Sequence, residues 1–304
     1  MMSGIDRMNG IIIVHKEAGF TSHDVVAKMR GICGQKKIGH TGTLDPEATG
    51  VLPVCLGNAT KLCDMLADRD KEYVAELLLG TETDTQDITG RVLATHPVEA
   101  GEEEVKKAAE GFVGDYMQIP PMYSALKVNG KRLYELARAG KEVERKPRPV
   151  KIHALEVLDC RLPVVTFRVV CSKGTYVRTL CADIGARLKC GGTMRSLRRT
   201  RVGGFRLEEA YTLAQLERLK DMGTLGEALL AVDSVFTDCP ALHVREEFRG
   251  LTDNGNAFLP EQTWERELYA PGRWVRVYRT DESFVGVYAY EPDRKRYRPI
   301  KMFL

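Results

Sequence analysis

At the centre of this chain's organisation is the stretch Gly39-His40-Thr41-Gly42-Thr43-Leu44-Asp45-Pro46-Glu47-Ala48-Thr49-Gly50. Its residues follow neither the helical nor the strand period, which predicts a loop. Glycine admits backbone angles that other residues avoid, and proline restricts both itself and the residue before it. Asp45 is therefore expected on a loop of defined shape. The apolar run 51–56 follows at once and predicts a buried strand that anchors the loop.

The residue types of this loop are also common in ordinary turns, so its composition alone does not separate a structural turn from a site. Its order is more specific, because Gly-His-Thr-Gly-Thr-Leu-Asp-Pro followed by Ala-Thr-Gly resembles the signature of the TruB family, the tRNA pseudouridine-55 synthases. Further stretches resemble motifs of the same family in the same order, and Glu17 replaces a usual proline in the first of them. These stretches are residues 16–22, 71–73, 80–90, 121–127 and 172–179.

The composition limits the classes of protein. A chain of 304 residues suits two domains, and a hydrophobic content of 43% can form a sizeable core. The formal net charge of +3 leaves room for local basic faces. The eight cysteines include no C-x-x-C pair, which disfavours zinc and redox motifs. Residues 1–9 lack a signal-peptide core, and no apolar run approaches the ~20 residues of a membrane helix, so we expect a cytoplasmic protein without membrane contact.

The alternation of strand and helix patterns predicts an α/β (α+β) fold. The resemblance sharpens this to a pseudouridine synthase-like mixed, largely antiparallel sheet with flanking helices, over residues 1–238. A basic RNA-binding insertion is expected around 120–151, and a charged helix at 102–112 is expected on a solvated flank. Short strands after residue 238 predict a small domain at 239–304 that resembles the PUA-type RNA-binding β-barrel. Because every catalytic candidate precedes it, the sequence predicts some turnover without this domain.

Two segments carry an excess of positive charge. Between residues 127 and 151 there are nine Lys and Arg against three Glu, flanked by Tyr123 and Tyr134. Between residues 187 and 206 there are seven Lys and Arg and no acid. Either segment could be solvated surface, but single-sign charge and nearby aromatic rings favour a nucleic-acid groove. The residues expected to contact RNA are Lys127, Lys131, Arg132, Arg195, Arg198, Arg199 and Arg201.

The reaction that the resemblance implies breaks the bond between ribose and uracil N1, turns the base and rejoins it through C5. No group or electron is lost, so no metal, ATP or redox cofactor is expected. The reaction needs a nucleophile or charge stabiliser that stays ionised, as a carboxylate does in neutral water. The resemblance gives this role to Asp45, and it cannot distinguish attack on the sugar from attack on the base.

The resemblance implies roles for further residues. Arg178 would pair with Asp45, and Tyr73 would stack on the target base and is a candidate to receive the proton from C5. Without the family match, a strand tyrosine or a lone histidine is most simply structural. Asp84 and Asp87 are equally consistent with turn carboxylates. The residues expected to bind the substrate nucleotide are Lys16, His40, Tyr73, Tyr176 and Leu197.

Three functions remain open from the sequence. The first is isomerisation of uridine at position 55 in the T-loop of tRNA, by a monomer that needs no protein partner and contacts the T-arm. The second is the catalytic subunit of a guide-RNA pseudouridylation ribonucleoprotein. The third is a non-catalytic RNA-binding or RNA-folding protein. An aspartate-dependent hydrolase is disfavoured because no partner base accompanies Asp45.

Overall fold

The computed structural model describes residues 8–128 and 130–304. The expectations for residues 1–7 and for a turn at Asn129 fall outside the described residues. In chain order, the strands are β1 (Gly10–Lys16), β2 (Ile38–His40), β3 (Thr49–Leu56), β4 (Lys71–Leu79), β5 (Thr81–Thr83), β6 (Val92–Thr95), β7 (Gly114–Gln118), β8 (Lys127–Val128), β9 (Lys131–Arg132), β10 (Arg148–Arg161), β11 (Val164–Cys171), β12 (Gly192–Val202), β13 (Phe205–Arg206), β14 (Ala241–His243), β15 (Trp274–Tyr278), β16 (Phe284–Glu291) and β17 (Arg296–Met302).

The helices connect these strands or pack on their faces. The α-helices are α1 (Ser22–Cys33), α2 (Cys63–Ala67), α3 (Glu102–Glu110), α4 (Leu133–Arg138), α5 (Val177–Arg187), α6 (Leu213–Asp221) and α7 (Arg249–Asp253). Short 3-10 helices occur at Gly57–Leu62, Leu207–Glu209, Leu225–Ala228, Val232–Phe236, Glu246–Phe248, Pro260–Gln262 and Pro292–Arg294. Within the described residues, no helix has the length and apolar character needed to cross a membrane.

The main sheet has the order β1-β3-β12-β4-β11-β10-β7, with β2 beside β3 and β13 beside β12. Every neighbouring pair in it is antiparallel except β3 and β12, which run parallel. The prediction of a mixed, largely antiparallel sheet is therefore confirmed. Strand β4 lies in the middle and alternates buried and partly exposed residues along its whole length. One of its faces therefore belongs to the core, as the two-residue period of a strand requires.

Helices α3 and α5 contribute to the largest hydrophobic cluster. Val105 and Ala109 of α3 and Leu180 and Ile184 of α5 are buried in it. The expectation that α3 is a solvated flank is wrong for one face. Apolar residues three and four positions apart form a stripe, and a stripe of this kind packs on a core even in a highly charged helix.

The C-terminal residues form a four-stranded sheet in the order β14-β15-β16-β17. This is the small β-rich unit expected after residue 238. It has its own cluster around Phe258, Tyr288 and Tyr297. A second cluster is shared with the rest of the chain, because Val287 and Phe303 pack in the cluster that contains residues of β1 and β3. One hydrophobic cluster therefore spans the boundary predicted at residue 238.

Candidate active site

The loop that carries Asp45 is closed by the antiparallel pair β2 and β3. The Thr41 amide donates to the Pro53 carbonyl at 3.2 Å, and the Leu44 amide donates to Ser22 Oγ at 2.9 Å. Gly50 has φ +108°, and a Cβ there would lie 2.1 Å from the Arg199 carbonyl oxygen. A glycine is thus required where β12 approaches. These contacts make the loop a fixed support for Asp45.

An ion pair joins Asp45 to Arg178. Arg178 Nε lies 3.0 Å from Asp45 Oδ2, and Nη2 donates to Oδ1 at 3.4 Å. This two-point contact fixes the plane of the carboxylate. The guanidinium is 5% exposed, whereas the Asp45 side chain is 42% exposed. The carboxylate is therefore held from behind and open in front.

Arg178 also connects Asp45 to two other parts of the chain. Its Nη2 donates to the Tyr123 carbonyl at 2.9 Å, and its Nη1 donates to the Thr85 carbonyl at 3.1 Å. Asp87 Oδ2 lies 3.7 Å from Nη1. A buried guanidinium is stable only when its donors are satisfied, so these contacts determine where Arg178 sits. The 80–90 loop and the 120–151 insertion therefore converge on the same arginine.

The two carboxylates left open by the sequence differ in their surroundings. Asp84 Oδ1 accepts from the Arg91 amide at 2.9 Å, which is an ordinary turn contact. Asp87 Oδ1 accepts from the Thr89 amide at 3.0 Å, while its other oxygen faces Arg178. Asp87 therefore supports the site as well as its own turn, whereas Asp84 does not contact the site.

Tyr73 and Arg199 form a buried pair beneath the cleft. They are opposite each other on β4 and β12, and they are 9% and 1% exposed. Burial raises the pKa of Tyr73, and the neighbouring Arg199 guanidinium opposes that increase. Arg199 Nε donates to the Val51 carbonyl at 2.8 Å, and Nη2 donates to the Gly42 carbonyl at 3.2 Å. Arg199 thus connects the tyrosine to the loop that carries Asp45.

Arg199, which is expected to contact RNA, is buried in the wall of the cleft and is not part of an exposed basic surface. Side chains alternate between the two faces of a strand, so Arg199 shares its face with Leu197, and Arg198 points the other way. Arg198 is exposed, and Arg195 is exposed beside it. A charge count along the chain could not separate these neighbours, because it contains no information about faces.

The basic stretch of β12 is not free of acids in three dimensions. Arg195 Nε lies 3.8 Å from Glu76 Oε2, and Arg201 Nη2 lies 3.7 Å from Glu72 Oε2. Both glutamates come from β4, which pairs with β12. The positive surface is therefore weaker at Arg195 and Arg201 than the sequence indicates.

The basic insertion borders the cleft. Lys127, Lys131 and Arg132 are exposed on the β8–β9 hairpin. The guanidinium groups of Arg132 and Arg138 lie 5.7 and 5.5 Å from the centre of the Tyr134 ring. Tyr134 and Arg138 line the cleft. Cationic groups thus surround an aromatic ring at the entrance.

The cleft has a volume of about 700 Å³, enough for more than one nucleotide-sized group. It brings together residues from distant parts of the chain. Those predicted as site residues from the sequence are Asp45, Tyr73, Tyr176, Arg178, Leu197 and Arg199. Lys16 and His40 do not line it. His40 packs edge-on against His23 at 5.3 Å, and burial, together with His23 and Arg199, lowers its pKa.

Lys16 supports the loop from beneath. Its side chain is fully buried, and Nζ donates to the carbonyls of Pro46 at 2.8 Å and Glu17 at 3.0 Å. Pro46 directly follows Asp45. Burial lowers the pKa of Lys16 to about 8. Its contacts are those of a residue that positions the loop.

Lys16→Met is expected to change how stability depends on pH. The folded-state pKa of about 8 is below the ordinary value of 10.5, so between these values the unfolded chain holds a proton that the native chain lacks. This group therefore makes the free energy of unfolding rise with pH in that window, by at most about 1.4 kcal/mol per unit. Urea unfolding between about pH 7 and 10 should show a steeper rise for wild type than for Lys16→Met. Lys28→Met, at an exposed position of α1, is the control, and parallel curves would contradict the assignment.

Lys71, the first residue of the 71–73 stretch, lines the cleft but is not among the site residues predicted from the sequence. It is 6% exposed, and Nζ donates to the carbonyls of Ala67 and Arg69 at 2.5 Å each. Burial, followed by the nearby Arg199 charge, lowers its pKa to about 8. The two-residue period of β4 could have found it, because Lys71 shares the face of Tyr73.

Comparison with known proteins gives a consistent result. Residues 30–177 match the TruB family pseudouridylate synthase N-terminal domain, and residues 178–237 match the tRNA pseudouridylate synthase B C-terminal domain. The chain is 52% identical to tRNA pseudouridine synthase B of Lachnoclostridium phytofermentans, over 98% of this chain and 100% of that protein. It is 47% identical to tRNA pseudouridine synthase B of Dechloromonas aromatica, over 89% and 91%.

A solved Cbf5-Nop10-Gar1 complex contains a chain with the same architecture. The TM-score is 0.72 at 26% identity, over 99% of this chain and 91% of that one. The mixed sheet, with a carboxylate open to a cleft at its centre, is that of a pseudouridine synthase. Within that class, the matches over nearly its whole length show that the chain belongs to the TruB family.

Proposed function

We propose that this protein converts uridine to pseudouridine at position 55 in the T-loop of tRNA, in the cytoplasm, without a protein partner. The observation that carries the proposal is the Asp45–Arg178 pair, with its carboxylate open to the cleft of a TruB family chain. The relatives that are 41–52% identical are named tRNA pseudouridine synthase B. The chains in the solved H/ACA RNP, Nop10-Cbf5 and Cbf5-Nop10-Gar1 complexes are more distant, at 24–26% identity.

In this proposal Asp45 is the nucleophile or charge stabiliser. The pairing with Arg178 keeps the carboxylate oriented. Tyr73 would lie against the base and take part in proton removal at C5, and Tyr176 and Leu197 would complete the pocket. A target uridine inside a folded loop must be unstacked to reach Asp45. The volume of about 700 Å³ supports this route, because the cleft can hold an extruded nucleotide.

The T-arm would bind across the exposed basic residues on either side of the cleft. On one side these belong to the hairpin at residues 127–132, and on the other to β12. Phosphate contacts by exposed cations supply affinity without reading sequence. The aromatic ring of Tyr134 at the entrance suits an unstacked base.

The purified chain, incubated alone with unmodified tRNA labelled with tritium at uridine C5, tests the proposal. We expect tritium release, with pseudouridine found at position 55 only. Release that requires a guide RNA and added proteins would favour the ribonucleoprotein subunit. Tight binding of tRNA without any release would favour a non-catalytic RNA-binding protein.

Arg198→Glu is expected to weaken tRNA binding and to flatten its salt dependence. For each phosphate contact that is lost, about one counterion fewer is released when the protein binds tRNA. The magnitude of the slope of log affinity against log salt should therefore decrease by about 1. Filter binding at several salt concentrations measures this slope. Arg161→Glu is the matched control, because Arg161 is exposed at the far end of β10, where that strand turns into β11. Equal slopes for Arg198→Glu and wild type would place the RNA elsewhere.

A further inference from the structure

Gln118 is a buried polar residue outside the cleft whose contacts lead into it. It is the last residue of β7 and is 1% exposed. Its Oε1 accepts from the Tyr176 amide at 2.8 Å, and its Nε2 donates to the Tyr176 carbonyl at 3.0 Å. One side-chain amide thus satisfies both backbone groups of one residue, in the manner of a strand pair. Losing it would leave the Tyr176 amide without this partner and would remove one of the two donors to the Tyr176 carbonyl, the other being the Leu180 amide.

Tyr176 is the residue from which α5 starts. It occupies the N-cap position, and its own side chain makes no cap hydrogen bond. Its carbonyl also accepts the first helical bond, from the Leu180 amide at 3.1 Å. Arg178 lies two residues further on, in the first turn of the helix. Any shift of Tyr176 therefore moves the backbone that carries Arg178.

Gln118 also lies at the base of the 120–151 insertion. It pairs with Arg148 where β7 and β10 meet, so the insertion leaves the sheet at this point. Pro120 and Pro121 follow it closely and stiffen the exit. Further along, the Tyr123 carbonyl accepts from Arg178 at 2.9 Å. The insertion is therefore joined to the start of α5 at two places, one at its base and one beside the ion pair.

We propose that Gln118 is a positioning residue for Arg178. Its amide fastens the first turn of α5 to the base of the insertion, so that the Asp45–Arg178 geometry and the placement of the insertion are set together. Gln118 does not line the cleft, so it acts through Tyr176 and Arg178. The inference rests on the proposed function, since the reaction affected is the one catalysed at Asp45.

The test compares Gln118→Met with Asp183→Ala. Tyr116 of β7 donates a hydrogen bond to Asp183 of α5. Asp183→Ala therefore removes another hydrogen bond between β7 and α5, at a position more than one helical turn from Arg178. In Gln118→Met, we expect the single-turnover rate to fall about 10- to 100-fold with little change in tRNA affinity, because misplaced groups cost rate. Asp183→Ala should lose thermal stability but keep its rate. Equal rate losses in the two variants, at equal loss of Tm, would reduce Gln118 to a structural contact.

Gln118→Glu adds a readout that a structural role would not change. A protonated glutamic acid can donate to the Tyr176 carbonyl and accept from its amide, whereas the ionised form cannot donate. The titratable and charged groups around this position are Tyr116 of β7, Asp183 of α5 and Arg148 of β10. Burial raises the pKa of an introduced carboxyl. The rate of Gln118→Glu relative to wild type should therefore recover as the pH is lowered from about 8 to 6, and Gln118→Met should show no recovery. A pH-independent ratio for both variants would overturn the proposal.

A crystal structure of Gln118→Met tests the positioning role without an activity measurement. We expect the Asp45–Arg178 contact, 3.0 Å in the wild-type protein, to lengthen beyond 4 Å. An unchanged contact would overturn the positioning role. Tritium release by the wild-type enzyme tests the proposed function separately, so the failure of one idea is distinguishable from the failure of the other.

Discussion

Asp45→Asn is expected to abolish tritium release from C5-labelled tRNA while the protein still folds and binds tRNA. The amide keeps the size of the side chain but removes the negative charge that, in the proposed function, attacks the substrate or stabilises the intermediate. We expect a loss of about 10³-fold or more in the single-turnover rate, which corresponds to at least about 4 kcal/mol of transition-state stabilisation. The affinity for tRNA should change little, because the phosphate contacts lie elsewhere.

The stability of Asp45→Asn should decrease only modestly. Removing one partner of a fully buried ion pair costs about 3–5 kcal/mol. Asp45 is 42% exposed, and Arg178 keeps its contacts with two carbonyls and with Asp87, so a smaller cost is expected. Asp84→Asn is the matched control, because it makes the same chemical change at a turn carboxylate in the neighbouring loop. Normal release by well-folded Asp45→Asn would falsify the catalytic assignment and return the 39–50 loop to a structural turn.

Removal of residues 239–304 is expected to destabilise the whole protein. The sequence predicts that the shortened chain keeps some turnover, because all catalytic candidates precede the deletion. The hydrophobic cluster that spans residue 238 predicts instead that the shortened chain is destabilised. Phe284, Val287, Ile300 and Phe303 cover the cluster that includes Ile11 of β1. Each large apolar side chain contributes about 1.5–3 kcal/mol by burial, so about 5 kcal/mol or more would be lost. That is comparable to the full stability of an ordinary domain.

Circular dichroism melting and soluble yield of the shortened chain measure this effect, with two point variants to locate it. Phe303→Ala removes a side chain from the shared cluster, and Phe258→Ala removes one from the cluster internal to the C-terminal unit. If the chain unfolds as one unit, both variants should lower the Tm of the same single transition. Each should reduce the free energy of unfolding by about 3–5 kcal/mol. A shortened chain with unchanged Tm and turnover would contradict the shared-core argument and restore the two-domain expectation.

The local elements and the loop of Asp45 could be predicted from the sequence, because their causes are local. Either Thr21 or Ser22, placed before an apolar helical period, can be predicted to cap α1, and Thr21 is the cap, accepting from the Asp24 amide at 3.1 Å. Gly42 and Gly50 adopt the positive φ angles that a shaped loop needs. Apolar patterns in the sequence predict β1, β3, β4, β10 and β11 of the main sheet within two residues of their observed ends. The patterns of β2, β7 and β13 of that sheet, of β14, and of helices α6 and α7 are too weak to predict them.

The assembly of the site was decided by the tertiary structure. Arg178 is 133 positions from Asp45 in the chain, and only the pairing of β3, β12 and β4 in one sheet brings such distant residues together. The burial of Arg199 and the glutamates of β4 opposite β12 follow from the same pairing. The core shared across residue 238 follows from the packing of the C-terminal residues on β1 and β3. Periodicity tells which face of a strand is apolar, but it contains no information about which strand lies next to it. Burial and charge at a site depend on those neighbours, so they appear only once the sheet is assembled.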